Sequence, residues 1–469
     1  MKPQSDKPRK FRKLYLIILI VIAAVSTLLA VSLYFAFGRG QTPTSIAHSE
    51  MLYVILALLI VLPVLLVILI VAILTGRKKG ESTEGVSDMV VKIDGATGET
   101  PEPQEEQQPQ GSRFDGLTKI DEQKDSYKRN DYKDDITLKR LCETFRNFSA
   151  NKLRLYYDIS DIRRFIAGMA VSHILILQGM SGTGKTSLAY AFGEFLDNTS
   201  TVIPVQPMWK ERTDLIGYYN EFTKRFNETD LLKKMYEANY SNDIYITVLD
   251  EMNIARVEYY FAEFLSLLEL PDADKRNLSV VSDEWENDPE QLNNGHIKLP
   301  ENMWFIGTAN NDDSTFAISD KVYDRAMIMD LDKKAEPFSA PRIKRTHINY
   351  KRFNELVEEA QKEYTVTARN RQRLQKLDEY MIENFHITFG NRIMKQINTY
   401  IPVYVSCGGD ELEALDDILA KKVMRKLSMQ NPVYIRNSAE PFCRYMDELF
   451  GEENMPLCKA FVRRLEKNA

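Results

Sequence analysis

The stretch ILILQGMSGTGKTSLAYAFGEFL (174–196) decides the fold of this chain. Four apolar residues typical of a buried β-strand lead into a glycine-rich loop, and 187–196 has a helical pattern. The loop fits the spacing GxxxxGKS/T, with Gly179, Gly184, Lys185 and Thr186 at the defining positions. Such a loop wraps phosphates with main-chain N–H groups, and the helix start adds a favourable dipole. The stretch therefore predicts a nucleotide site, with Lys185 at the β- and γ-phosphates and Thr186 on Mg²⁺.

A second apolar run, IYITVLDEMN (244–253), ends in two adjacent acidic residues. A buried parallel strand would present Asp250 at its carboxyl end, beside the phosphate loop, where it suits the Mg²⁺ shell. Glu251 would then orient and deprotonate the attacking water. The pair predicts metal binding and general-base chemistry.

Two further segments complete the predicted site. MWFIGTANNDDST (303–315) is an apolar strand that ends in polar residues, and the amide of Asn310 could hold the lytic water. SDKVYDRAM (319–327) carries Arg325, which could reach a neighbouring subunit's phosphate as an arginine finger.

These motifs and their order resemble the AAA+ family of ring-forming NTPases over about 140–430. The subgroup of McrB-type restriction motors, dynein-related ATPases and MoxR-type proteins is the most similar. Three stretches carry that similarity: WKERTDLIGYYN (209–220), LDEMNIARVEYYFAEFLSLLE (249–269) and LPENMWFIGTANNDDSTFAISD (299–320).

The resemblance implies a set of site residues and cofactors. ATP, with GTP possible, and Mg²⁺ are the implied cofactors. Glu251, Asn310 and Arg325 are the implied catalytic residues, and Thr186 and Asp250 the metal ligands. Arg392, in FGNRIMKQINTY (389–400), is the sensor 2 candidate, and Arg256 could contact the adjacent subunit. The implied nucleotide-binding residues of the loop are Gly179, Ser181, Gly182, Thr183, Gly184, Lys185, Thr186 and Ser187.

The amino-terminal part of the chain predicts a membrane anchor. Residues 14–37 and 51–74 are two uncharged, largely apolar stretches of a length that spans a bilayer as a helix. Several basic residues precede the first stretch and follow the second, whereas the connecting residues 38–50 contain only one. The positive-inside rule therefore predicts a multi-pass plasma-membrane protein with both termini and the ATPase domain in the cytoplasm. Residues 1–79 carry a formal charge of +8 and the remainder −14, which together give −6.

The predicted fold class is an α/β P-loop AAA+ core, a parallel sheet flanked by helices, with a helical C-terminal lid and two transmembrane helices. The predicted domains are an anchor (1–79), a flexible polar linker (80–132), a nucleotide-binding domain (133–346) and a lid (347–469). The four scattered cysteines include no CxxC pair, which argues against structural zinc or a disulfide framework.

Three functions remain open from the sequence. The first is an ATPase ring, a hexamer by the resemblance to the family, that remodels an unknown cytoplasmic protein client. The second is a DNA restriction motor acting with an McrC-like nuclease, which the −14 charge of residues 80–469 disfavours because phosphate attraction supplies most non-specific DNA affinity. The third is a nucleotide-gated membrane scaffold whose hydrolysis is incidental.

Overall fold

A five-stranded parallel sheet forms the centre of the computed structural model, which describes residues 111–133, 135–310 and 315–468. Its strand order is β10-β1-β9-β5-β2, and every neighbouring pair is parallel. These strands are β1 (Ile174–Gly179), β2 (Thr201–Pro204), β5 (Tyr245–Asp250), β9 (Met303–Asn310) and β10 (Met327–Asp330). Because all five run in one direction, the residues that follow them meet at one edge.

Short strands outside this sheet form two insertions. One is an antiparallel hairpin, β3 (Gly217–Asn220) with β4 (Arg225–Glu228). The other is a three-stranded sheet in the order β6-β8-β7, formed by β6 (Asn277–Ser279), β7 (Leu292–Asn293) and β8 (His296–Lys298).

The helices that precede, connect and follow the strands cover both faces of the sheet. Those of the amino-terminal and sheet region are α1 (Asp115–Glu122), α2 (Leu138–Phe148), α3 (Ile159–Val171), α4 (Lys185–Phe195), α5 (Thr213–Ile216), α6 (Asp230–Ala238), α7 (Val257–Tyr260), α8 (Ala262–Leu267) and α9 (Asp320–Tyr323). The C-terminal helices are α10 (Tyr350–Glu363), α11 (Ala368–Phe385), α12 (Gly390–Ser406), α13 (Glu411–Lys422), α14 (Pro432–Phe450) and α15 (Pro456–Asn468).

Burial on both faces explains why the central strands are apolar throughout. Along β1, Leu175 and Leu177 belong to the core that includes the C-terminal helices, whereas Ile174 and Ile176 belong to a second core on the opposite face. This division is the pattern expected of a parallel strand covered by helices on both sides. The parallel sheet, its flanking helices and the helical C-terminal region agree with the predicted AAA+ fold class.

The end of the predicted linker is ordered, contrary to the sequence prediction. Within 111–132, helix α1 buries Phe114 and Leu117 completely, and Phe114 stacks on Phe226 of the β3–β4 hairpin. The guanidinium of Arg113 is also buried, with its centre 4.3 Å from the Trp285 ring centroid and its NH2 2.8 Å from Asp288 Oδ2. The residues that contact this segment lie more than 100 positions away in sequence, so its local composition does not reveal that it packs against the domain.

The predicted membrane anchor requires a correction. The segments 14–37 and 51–74 lie outside the described residues. In the ranges that the structure describes, no helix is long and apolar enough to cross a membrane. The helices there are amphipathic instead: α10, for example, buries Phe353 and Leu356 and carries charged residues on its other side. Two transmembrane helices are therefore removed from the fold class, and the multi-pass membrane location is not retained.

Candidate functional site

The glycine-rich loop lies between β1 and α4, at the carboxyl edge of the sheet. Gly179 has φ +143° and Gly184 has φ +93°, both in the region that favours glycine. A Cβ on Gly179 would lie 2.5 Å from the carbonyl oxygen of Leu331, so a side chain does not fit there. All eight loop residues predicted to bind nucleotide fall in this turn and the first turn of α4, with Ser181 and Gly182 exposed.

The ammonium of Lys185 is buried at the base of the loop. Its Nζ donates to the carbonyl oxygens of Gly179, at 3.0 Å, and Met180, at 2.7 Å. An ammonium removed from water is costly unless it is hydrogen-bonded, so these bonds hold it against the loop.

Tyr157 is a supporting residue that the sequence did not single out. Its hydroxyl donates to the carbonyl oxygen of Gly184 at 3.1 Å, and its ring is buried beneath the loop. Burial raises the pKa of Tyr157 above its usual value, so the hydroxyl keeps its proton and remains a donor. No local motif marks it, because it precedes β1 by a whole helix.

Helix α4 and strands β5 and β9 meet at one carboxylate oxygen. Asp250 Oδ1 accepts from the Thr186 hydroxyl at 2.6 Å and from the Thr308 hydroxyl at 2.8 Å. Thr186 comes from α4, Asp250 from the end of β5 and Thr308 from β9. The predicted metal ligands are thus in direct contact in the folded chain.

Glu251 adopts an unusual backbone conformation directly after β5. Its φ is +52°, in the left-handed region that a non-glycine residue seldom occupies, and its N–H donates to the Thr308 hydroxyl at 2.9 Å. The residue is exposed, unlike the buried strand that leads to it. One hydroxyl, that of Thr308, therefore fixes both neighbouring acidic residues.

Asn310 ends β9 directly beside the loop. In the register of β1 and β9 it is opposite Gly179, the first glycine of the loop. Its carbonyl oxygen accepts from Asn253 Nδ2 at 3.0 Å, and the same amide lies 2.9 Å from Thr315 Oγ1. Asn253 thereby ties the segment after Glu251 to the end of β9, and it is a second supporting residue that the motifs did not reveal.

The donors around Asp250 suit Mg²⁺ chemically. Mg²⁺ prefers hard oxygen ligands and is usually held by one or two protein oxygens together with substrate phosphates. The Thr186 hydroxyl and the Asp250 carboxylate are such oxygens, and they already lie next to each other beside the loop. The residues present therefore fit the ion that the phosphate loop implies.

The two predicted arginines lie together, but away from the loop. Arg325 Nε is 2.7 Å from Glu269 Oε2, and Arg392 NH2 is 2.5 Å from Glu269 Oε1. All three line a cleft of about 710 Å³ that also includes Ser172 and His173.

This cleft lies at the amino-terminal edge of the sheet. The register of β1 and β10 begins with Leu175 opposite Met327, so Arg325 precedes its strand at the end far from the loop. At about 3.3 Å per residue, the length of β1 separates the two edges by roughly 16 Å. The structure therefore brings Arg392 to Arg325 and not to the chain's own phosphate loop.

Arg256 follows the acidic pair, beyond the carboxyl end of β5. Its guanidinium carbon is 5.1 Å from the ring centroid of Phe316 and 5.9 Å from that of Tyr259. Arg256, Tyr259 and Phe316 are all exposed, and the contact of Arg256 with an adjacent subunit stays a prediction.

Comparisons with known families match two parts of the chain. Residues 174–326 match the AAA domain (dynein-related subfamily), and residues 342–469 match a domain of unknown function (DUF8727). The chain thus carries an AAA domain of dynein-related type, which implies P-loop nucleoside triphosphatase activity in general. No curated protein matches the chain.

Two solved structures are similar at low sequence identity. One is a proposed ATPase from Cytophaga hutchinsonii ATCC 33406, with 13% identity and a TM-score of 0.41 over 66% of this chain and 88% of that chain. The other is a full-length MCM homolog from Methanopyrus kandleri, with 12% identity and a TM-score of 0.30 over 62% of this chain and 56% of that chain.

Proposed function

We propose that this chain is an AAA+ ATPase that hydrolyses Mg²⁺-bound ATP at the 179–187 loop and works in a homo-oligomeric ring. The observation that carries the proposal is the convergence of the Thr186 and Thr308 hydroxyls on Asp250 Oδ1 beside the loop. Three separate elements meet there, and this arrangement suits a Mg²⁺-bound triphosphate.

Each residue of the loop edge has a proposed role. The main-chain N–H groups of 179–187 and the Lys185 ammonium bind the phosphates. The loop is rich in glycine and leads into the start of a helix, as in other phosphate-binding loops. Thr186 and Asp250 hold Mg²⁺, which when bound neutralises charge on the phosphates. Glu251 accepts the proton of the attacking water, and Asn310 orients that water through its side-chain amide.

The position of Arg325 supports a site completed by a second copy of the chain. An arginine at the amino-terminal edge of the sheet is too far from its own loop to stabilise charge there. In a head-to-tail ring, that edge of one subunit can face the loop edge of the next. We propose that Arg325 acts in this way, with Arg392 beside it at the same face, and that the ring is a hexamer.

The proposed output of hydrolysis is remodelling of a protein client. A finger on one subunit and a phosphate loop on the next make subunit geometry depend on nucleotide state, which is the requirement for mechanical work. ATP is the proposed nucleotide and GTP the alternative, since the proposed contacts of the loop are to the phosphates and not to the base.

Hydrolysis by the full chain tests this proposal. Glu251→Gln should bind nucleotide with unchanged affinity and lower kcat by about 10²–10⁴-fold, because the amide cannot accept the water's proton. Glu284→Gln, an exposed glutamate on the insertion between β6 and β7, is the matched control and should turn over like wild type. Steady-state ATP and GTP hydrolysis and nucleotide titration are the measurements.

Equal turnover by wild type and Glu251→Gln would overturn the role of Glu251. Stimulation of hydrolysis by DNA would favour a restriction motor acting with a nuclease partner. Full cellular function of Glu251→Gln, together with loss of function in Lys185→Ala, would favour a nucleotide-gated scaffold instead.

A further inference from the structure

A buried lysine ends helix α13 and contacts the turn that carries Arg325. Lys422 is 4% exposed, and its Nζ donates to the carbonyl oxygens of Tyr323 at 2.8 Å and Ala326 at 2.5 Å. A longer contact, 3.5 Å, reaches the carbonyl oxygen of Asp324. The three carbonyls bracket Arg325 on both sides in the chain.

This arrangement constrains the main chain on either side of the finger. Burial lowers the pKa of Lys422 to about 7. A buried amino group without hydrogen bonds is destabilising in either protonation state, so the Lys422 Nζ is held where the carbonyls converge. The carbonyls in turn must point toward α13 to satisfy it. The peptide planes around Arg325 are therefore oriented by a residue of the C-terminal helical region.

Two other C-terminal residues contact the same turn. The guanidinium carbon of Arg425 is 3.2 Å from the Tyr323 ring centroid, and its NH2 is 2.7 Å from Asp320 Oδ1. Gln396 Nε2 donates to the carbonyl oxygen of Asp324 at 3.4 Å. The turn thus has contacts to Gln396 on α12, to Lys422 at the end of α13 and to Arg425 shortly after it.

The sheet region supplies an anchor on the other side of the turn. Ser172, which follows α3, donates through its hydroxyl to the carbonyl oxygen of Arg325 at 2.9 Å. Arg325 is consequently held between the sheet region and the C-terminal helices. A shift of those helices relative to the sheet would have to break the Lys422 contacts or carry the turn with them.

We propose that Lys422 is a positioning residue for Arg325, through which the C-terminal helices set the presentation of the finger to the neighbouring subunit. The inference rests on the proposed function of Arg325 as a finger acting in trans. It adds a regulatory route: the position of the C-terminal helices in one subunit controls hydrolysis in the next.

A double-mutant cycle on the full chain tests this coupling. Arg325→Ala should lower kcat for ATP by ~10²-fold or more. Lys422→Met, similar in length but unable to donate hydrogen bonds, should lower kcat by roughly 10- to 100-fold with little change in nucleotide affinity. The double variant should turn over no more slowly than Arg325→Ala alone, because both changes remove one function.

The neighbouring lysine provides the control. Lys421 is also buried on α13, but its ammonium pairs with Asp330 rather than with the finger turn. Lys421→Met should therefore reduce kcat, if at all, by the same factor in the wild-type and the Arg325→Ala backgrounds. The same loss of additivity for Lys421→Met as for Lys422→Met would show a general packing effect and would overturn the specific role.

The remaining outcomes separate the two proposals. Unchanged kcat in Arg325→Ala would refute the finger itself. A normal finger effect with an additive or absent Lys422→Met effect would refute only the positioning role. If Lys422→Met loses nucleotide binding or its cooperative melting transition, Arg425→Met, at a partly exposed side chain on the same turn, takes its place in the cycle with the same expected non-additivity.

Discussion

At the scale of single residues, Thr308 links the two acidic side chains on which the proposed chemistry depends. Its hydroxyl donates to Asp250 and accepts from the Glu251 N–H, and the residue is 2% exposed. The left-handed backbone of Glu251 depends on that bond, so Thr308 is a positioning residue for the acidic pair.

Replacement of this hydroxyl tests the geometry of the site. Thr308→Val removes both hydrogen bonds without changing the side-chain volume much, and we expect kcat to fall by roughly 10- to 100-fold with little change in KM, since Glu251 loses its orientation. Thr308→Ser keeps a hydroxyl and should retain most of the activity. Steady-state hydrolysis with a melting curve for each variant is the measurement, and equal kcat for the Val and Ser variants would contradict the proposed role.

The motif residues were readable from sequence because their signals are local. Glycine spacing, a lysine and a threonine at fixed offsets, and acids after an apolar run need no knowledge of the rest of the chain. Thr308, Asn253 and Tyr157 have their roles through contacts between distant elements, and no local pattern marks such contacts. The location of Arg392 beside Arg325 could not be predicted for the same reason, since its partner Glu269 lies far away in sequence.

At the scale of elements, the apolar runs of β1, β5 and β9 predicted buried strands, and the C-terminal periodicity predicted helices. Helix α1 was missed, because Phe114 before it and its apolar residues Leu117 and Ile120 follow a polar, proline-rich tract that dominates the composition. The strand order and the two short insertions also could not be predicted from the sequence, since strand pairing depends on contacts between distant parts of the chain.

The amino-terminal edge of the sheet makes a testable contribution to stability. His173, just before β1, stacks on Trp304 of β9 with ring centroids 4.9 Å apart, and its Nε2 is 2.9 Å from the carbonyl oxygen of Glu301. Burial, aided by the nearby charge of Arg276, lowers the pKa of His173 to about 4, against the opposing effect of Glu301. In the unfolded chain the pKa is about 6.5, so the unfolded state binds the proton more readily.

The contribution of the buried, neutral His173 to the free energy of unfolding should therefore be complete above pH 6.5 and be lost as pH falls toward 4. Between pH 7.5 and 4.5, protonation of His173 in the unfolded chain should reduce the free energy of unfolding by about 2–3 kcal/mol. His173→Gln removes this dependence, whereas His296→Gln, at an exposed histidine on β8, should keep it. Urea unfolding at the two pH values measures the difference, and equal pH dependence for wild type and His173→Gln would rule out this assignment.

At the scale of the whole molecule, the proposed function depends on an edge-to-edge relation between copies. The loop, Asp250, Glu251 and Asn310 lie at the carboxyl edge of the sheet, and Arg325 lies at the other. The sequence predicted that Arg325 reaches a neighbouring subunit's phosphate, but it could not show how far Arg325 lies from the chain's own loop. The register of β1 with β10 places Arg325 at the edge far from that loop, and the Lys422 contacts join it to the C-terminal helices.

Mixing two inactive full-length variants tests the shared site most directly. Arg325→Ala keeps the loop and Glu251, and Glu251→Gln keeps Arg325, so each variant alone should be nearly inactive. After co-assembly at equal amounts, random pairing leaves about a quarter of the interfaces with both intact residues, and ATP hydrolysis should rise to roughly that fraction of the wild-type rate. A mixture no more active than the sum of its two components would contradict a site completed in trans by Arg325.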